Sequence, residues 1–248
     1  MKTKIYLIVL LFLPIISFGQ EKSKELSEVN VTAPLFTGII NVVDVINNDH
    51  QESIDAYLAD NFQYPYVAAE CYQQGTGVVQ FMVNSNGEVN DFHVVNSVCP
   101  EIDQEFIRVL KITNGMWKPG YKNNVATEMV KEVSMIFIAN QANMKNHVEY
   151  FTNNAKSSYT KANELFLTER NPKKALKYYD SSIKFLPYDT SSLFLRGLYK
   201  YELGDEQGAL KDWNRINELG KFNVNVDELL SNLSDMKGYA EMNNILKK

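Results

Sequence analysis

Strict alternation of apolar and polar residues marks three strand-like runs in the first part of the chain, and helical periodicity takes over afterwards. In Gly75–Val83 the side chains of Val79, Phe81 and Val83 point one way, and Val78, Gln80 and Met82 the other. In Glu88–Val98, Phe92, Val94 and Val98 share a face, and in Glu128–Ala139 so do Met129, Val133, Met135 and Phe137. Asn84-Ser85-Asn86-Gly87 is turn chemistry between the first two runs and predicts a hairpin. Ile54, Tyr57 and Leu58 recur at helical spacing within Gln51–Asn61. Tyr64-Pro65 breaks that pattern, and a second short helix is expected over Pro65–Cys71. Ile102, Phe106, Val109 and Leu110 stripe a helix over Glu101–Thr113, with Pro100 at its start and acidic residues in its first turn. Trp117-Lys118-Pro119-Gly120 reads as irregular. Both faces of the hairpin carry apolar groups, and the 101–113 helix is expected to cover one of them. Helix, strand, strand, helix, strand predicts a small α+β sandwich: a three-stranded antiparallel sheet with helices on one face.

Beyond Ala139 the strand signals stop. Ala175-x3-Tyr179-x2-Ser182-x4-Pro187 is followed, at a spacing of 34, by Ala209-x3-Trp213-x2-Ile216. Small residues stand at Ala162 and Gly197, where two helices can touch closely, and Gly204-Asp205 turns the second pair. This period resembles tetratricopeptide repeats. It implies two helix–turn–helix units, at 155–188 and 189–222, with residues 225–248 sealing the exposed apolar end. The first unit departs from the pattern near Asn171-Pro172 and at Lys161, and an unrelated helical bundle is the competing reading. In a tetratricopeptide arrangement Tyr199, Lys200 and Tyr201 lie near the concave groove, although tyrosines at that spacing also pack between helices.

The N-terminus bears on compartment. Lys2 and Lys4 precede an apolar run from Ile5 to Phe18, and Ser17-Phe18-Gly19 supplies small residues for a signal peptidase. The run is about 14 residues, below the roughly 20 that a spanning helix needs, and contains Pro14. An export signal over 1–19 is expected, then a flexible lead-in over 20–32 and no stable membrane span. An uncleaved anchor is the competing reading. A net charge of −5 and a pI near 5.4 argue against nucleic acid as a partner, because phosphate binding needs a basic face.

Export makes a disulfide permissible. Residue numbers opposite each other in the hairpin add to a near-constant value, which places Cys71 and Cys99 close together at its open end. A Cys71–Cys99 bond is therefore expected. Chemistry-bearing constellations are otherwise thin. His50, His93 and His147 fall in different elements, and no HExxH, CxxC, GxSxG or SxxK occurs. Gly75-Thr76-Gly77 opens a strand rather than a phosphate-binding helix. No catalytic, cofactor or metal role is expected.

Tyr64-Pro65, Gly75-Thr76-Gly77-Val78-Val79-Gln80-Phe81, the Asn84–Gly87 turn and Trp117-Lys118-Pro119-Gly120 occur in an order that resembles the TonB C-terminal domain. Ala33-Pro34-Leu35-Phe36-Thr37-Gly38 is similar to the lead-in seen in the Bacteroidetes branch of that family. The resemblance covers about 33–140, ahead of a helical domain at 141–248. It implies a non-enzymatic module that holds proteins by offering a sheet edge to an extended peptide. By position that edge is the last strand, with Val130, Glu132, Val133, Ser134, Met135, Ile136 and Phe137. Lys131 and Glu132 read equally well as edge-protecting charges. The implied partner is a protein or extended peptide, such as a TonB-dependent outer-membrane receptor, and pairing of sheet edges into a homodimer stays open. The seven prolines are spread singly, so no stiff polyproline arm exists to carry force. The readings left open are a periplasmic adaptor, a membrane-anchored energy transducer and a secreted helical scaffold.

Overall fold

The computed structural model describes residues 29–38, 53–138, 146–167, 171–220 and 233–246. The expected export signal, most of the lead-in, His50 and the first part of the expected terminal helices lie outside the described residues.

The sheet at the centre of the first part has the order β4-β3-β8, with β3 (Gly75–Val83), β4 (Val89–Asn96) and β8 (Met129–Phe137) all antiparallel. Its hairpin turns where the sequence predicts. Gly87 N–H donates to the Asn84 carbonyl at 3.0 Å, and the Asn84 side-chain oxygen accepts from the Asn86 and Glu88 amides at 2.9 and 3.0 Å. Gly87 takes a φ of +83°, which gives a three-residue loop closed by a left-handed residue.

Helix α3 (Pro100–Ile112) starts with proline in its first turn, where a missing N–H costs nothing, and carries Glu101 and Asp103 against the positive end of its dipole. Its stripe of Ile102, Phe106, Val109 and Leu110 is buried against Val79, Phe81 and Val83 of β3 and Val133 and Phe137 of β8. Burial of such side chains contributes about 1.5–3 kcal/mol each. Two short helices, α1 (Ile54–Asn61) and α2 (Tyr66–Glu70), add Leu58 and Ala68 to the same core. The stretch read as irregular forms strands instead. Trp117-Lys118 (β5) pairs with Leu35-Phe36 (β2), and Gly120–Lys122 (β6) runs between Val31-Thr32 (β1) and Val125–Thr127 (β7). Val31 and Thr32, expected in the flexible lead-in, are thus paired. Asn123 and Asn124, at φ +51° and +63°, supply the tight turn between β6 and β7. Trp117 is core, its indole N–H donating to Thr113 Oγ1 at 2.9 Å.

The second part packs α4 (His147–Leu167) against α5 (Pro172–Phe185) and α6 (Thr190–Glu202) against α7 (Glu206–Glu218), with α8 (Tyr239–Leu246) on α7. Asn171, Asp189 and Asp205 cap α5, α6 and α7, each accepting a backbone N–H. Ala162, Ala175 and Ala209 are fully buried, and the Trp213 ring lies against Gly197. Asp212, 3% exposed, accepts Arg196 Nε and Nη2 at 2.9 and 2.7 Å and Lys200 Nζ at 3.0 Å. Arg196 also reaches Asp180 at 3.2 Å, so one charge network ties α5, α6 and α7.

Cys71 stands exposed in the turn after α2, and half-buried Cys99 at the N-cap position of α3; both are free thiols here. Bulges shift the hairpin register, so that Val83 faces Val89 whereas Val78 faces Asn96. Of the expected groove residues Tyr199 is buried, whereas Lys200 and Tyr201 are half-buried. Tyr199 is fully buried, its ring against Tyr179 and Phe166; Lys200 pairs with Asp212; and Tyr201 stacks on Trp213. The burial that holds the tyrosines pushes the Tyr179 and Tyr199 hydroxyls well above the ordinary tyrosine range.

Candidate functional site

An edge strand must leave one row of backbone N–H and C=O groups without a strand neighbour. Strand β8 is such an edge: it pairs along its whole length with β3, from Met129 opposite Val83 to Phe137 opposite Gly75. Among the described residues no strand lies on its other side. The alternation read from the sequence holds here. Val133 and Phe137 point into the core, while Val130 and Ile136 are 57% and 40% exposed on the opposite face. Outside the edge runs a cleft of about 590 Å³, walled by Ile54, Asp55, Leu58 and Ala59 of α1 and by Lys131–Ile136 of β8, with His147 also lining it. Serine capping starts α1 at that wall, Ser53 Oγ accepting from the Ala56 amide at 3.1 Å.

The charges read as edge protection are engaged elsewhere. Lys131 Nζ lies 6.0 Å above the Trp117 ring. Glu132 accepts from Arg215 Nη2 at 2.7 Å and from the Gln80 amide at 2.9 Å.

Arg215 belongs to α7, and the sheet face opposite α3 is covered by the helical part of the chain. Thr76 Oγ1 donates to the Phe185 carbonyl at 2.8 Å, Asn96 Nδ2 to the Ile183 carbonyl at 3.3 Å, and Lys184 Nζ to Gln73 Oε1 at 2.9 Å. Gly75 permits this approach, since a Cβ there would stand 2.9 Å from the Lys184 carbonyl oxygen. Val78, on this second face, is fully buried. The contact crosses the sheet. Ile183 reaches β4, Phe185 reaches β3, and Tyr188 and Arg215 lie over β8, the Arg215 guanidinium 5.7 Å from the Tyr188 ring. The Tyr188 hydroxyl interacts with Ser134 and Glu132. Sequence reading missed Lys184, Tyr188 and Arg215; the available signal was the apolar character of both faces of β3.

Burial works against the ionised Glu132 carboxyl, but donation from Arg215 and Gln80 prevails and holds it below its ordinary value of 4.5. A depressed folded value contributes stability that is present above the unfolded pKa and lost as pH falls through the folded one. The sheet–helix contact is thus expected to loosen in acid, and Glu132→Gln to remove that part of the pH dependence. Unfolding curves of both proteins between neutral and acid pH check this; parallel curves would rule it out.

Among the described residues no cluster of three or more His, Cys, Asp or Glu could hold a metal ion, and no helix is long and apolar enough to cross a membrane. Residues 60–138 match the family model of the Gram-negative bacterial TonB protein C-terminal region. The match runs from the last residues of α1 through β8; it leaves out the part of α1 that walls the cleft and the helical part of the chain. A solved structure, the NMR solution structure of the Helicobacter pylori TonB C-terminal domain (residues 194–285), is similar at 18% identity with a TM-score of 0.30, the likeness covering 36% of this chain and 91% of that one. No curated protein matches.

Proposed function

We propose that this chain, which carries a TonB C-terminal-like domain, is a non-enzymatic adaptor of the bacterial envelope that captures an extended segment of a partner protein on β8. The observation that carries the reading is an edge strand, Met129–Phe137, which lies within the stretch that matches the TonB C-terminal model and faces a cleft beneath α1. An added strand satisfies the outer backbone groups of β8, and α1 gives its side chains an apolar wall. The chemistry suits partners linked to outer-membrane transport, with TonB-dependent receptors the first to test. The helical part is proposed as a tetratricopeptide-like module that accompanies the binding domain; the helix pairing and the buried Ala162, Ala175 and Ala209 support that assignment. Binding without chemistry and residence in the periplasm follow from the same reading, as does export.

The test is hydrogen exchange on the whole mature chain, with and without an array of peptides drawn from the N-terminal segments of outer-membrane receptors. Strand addition is expected to slow exchange at alternate amides of Val130–Ile136, those whose N–H points away from β3, while β4 is unchanged. Protection at β4 instead, or none at β8 with a bound peptide, would remove the reading.

A further inference from the structure

A strand added to β8 lies about 4.8 Å beyond it, with side chains alternating between two faces. On one face they meet the α1 wall. On the other they come beside the groups already above β8, and those groups come from the helical module. Tyr188 stands over Ser134 and Glu132 on the outermost strand yet stays 42% exposed. Arg215 holds that corner in place through Glu132 at 2.7 Å.

We infer that the peptide site is built by both parts of the chain, and that Tyr188 is a specificity-determining residue contacting the side chain of the added strand that lies beside Ser134 and Glu132 on the face of the helical module. The inference rests on strand addition at β8 and assigns its second wall. The local chemistry also sets the kind of segment that fits. Arg215 is already paired to two carboxylates, Glu132 at 2.7 Å and Glu218 at 3.0 Å, which leaves the corner with an excess of negative charge. An anionic side chain placed there gives up hydration without gaining a counter-ion. The opposite wall presents Ile54, Leu58 and Ala59, with Asp55 beside them. The occupant is therefore an extended segment free of carboxylates, with an aliphatic or aromatic residue beside the Tyr188 ring.

The experiment uses the whole mature chain and the tightest-binding peptide of the receptor array, with affinity and β8 amide protection measured together. Tyr188→Ala is expected to weaken binding about five- to tenfold, and Tyr188→Phe, which keeps the ring, to restore most of it. Tyr178→Ala, an equally exposed tyrosine on α5, is the control and is expected to change nothing. An alanine scan of the peptide is expected to show one position, beside Tyr188, whose sensitivity disappears in Tyr188→Ala. Unchanged affinity in Tyr188→Ala, with β8 amides still protected by the peptide, would overturn the two-part site and leave strand addition standing. Absence of β8 protection in the unaltered protein would overturn both.

Discussion

Asp212→Ala is expected to cost about 3–5 kcal/mol, the largest effect of any single charge removal among the described residues. The carboxylate is 3% exposed and receives three donors from Arg196 and Lys200, whose side chains are themselves 17% exposed. Its removal leaves two cations side by side on the face of α6 turned to α7, with Asp180 at 3.2 Å from Arg196 as the remaining carboxylate. What is lost is chiefly the neutralisation of charges largely withdrawn from water. Two comparisons isolate this cause. Arg196→Met leaves Lys200 to pair with Asp212 and is expected to cost less. Asp212→Asn keeps the shape and loses the charge, and is expected to fall near Asp212→Ala. Urea unfolding with linear extrapolation measures all three. Asp212→Asn behaving like the unaltered protein would show that shape, and not charge, sets the requirement.

Gly87→Ala is expected to cost about 2–4 kcal/mol, from two sources that can be separated. At φ +83° any Cβ brings left-handed strain, about 1–2 kcal/mol. In addition that Cβ would stand 2.1 Å from the carbonyl oxygen of buried Trp117, so the hairpin turn and β5 cannot both keep their places. Gly115 provides the control: its φ is +79°, but nothing lies within 4 Å of its would-be Cβ. Gly115→Ala therefore reports strain alone, and the difference between the two variants reports the contact between turn and β5. Equal losses would mean that the contact relaxes freely.

The close approach of the turn to Trp117 also shows what could be read beforehand. Strands β3, β4 and β8 and helix α3 were legible because each repeats its period several times, and a buried face such as Val79, Phe81 and Val83 leaves no second interpretation. The turn was legible from Asn84 and Gly87, whose chemistry is local. Strands of two or three residues, such as Trp117-Lys118 and Val31-Thr32, hold too few alternations to register, and their pairing depends on partners far away in the chain. The hairpin register was illegible for a comparable reason: the bulges that shift it between Val78 and Met82 are not encoded in turn residues. For the candidate site, the edge strand could be located from order and resemblance. The α1 wall and the Tyr188 corner could not, since both are products of tertiary packing. Tyr199 shows the opposite error. Its position in the repeat suggested a groove, while the aromatic neighbours Tyr179 and Phe166 draw it into the core.

The carbonyls of Ile183 and Phe185 are among the last of α5, where a helix has no turn of its own left to satisfy them. Here the sheet satisfies them, through Asn96 and Thr76. The C-terminal end of one module is thus finished by side chains of the other. A truncation placed between β8 and α4 would not release two intact halves. It would expose Val78 on one fragment and leave an unfinished helix on the other. Loss of binding in either fragment would report broken cooperativity as readily as a missing contact, so ownership of a binding surface in this chain is a question for point substitutions in the full-length protein.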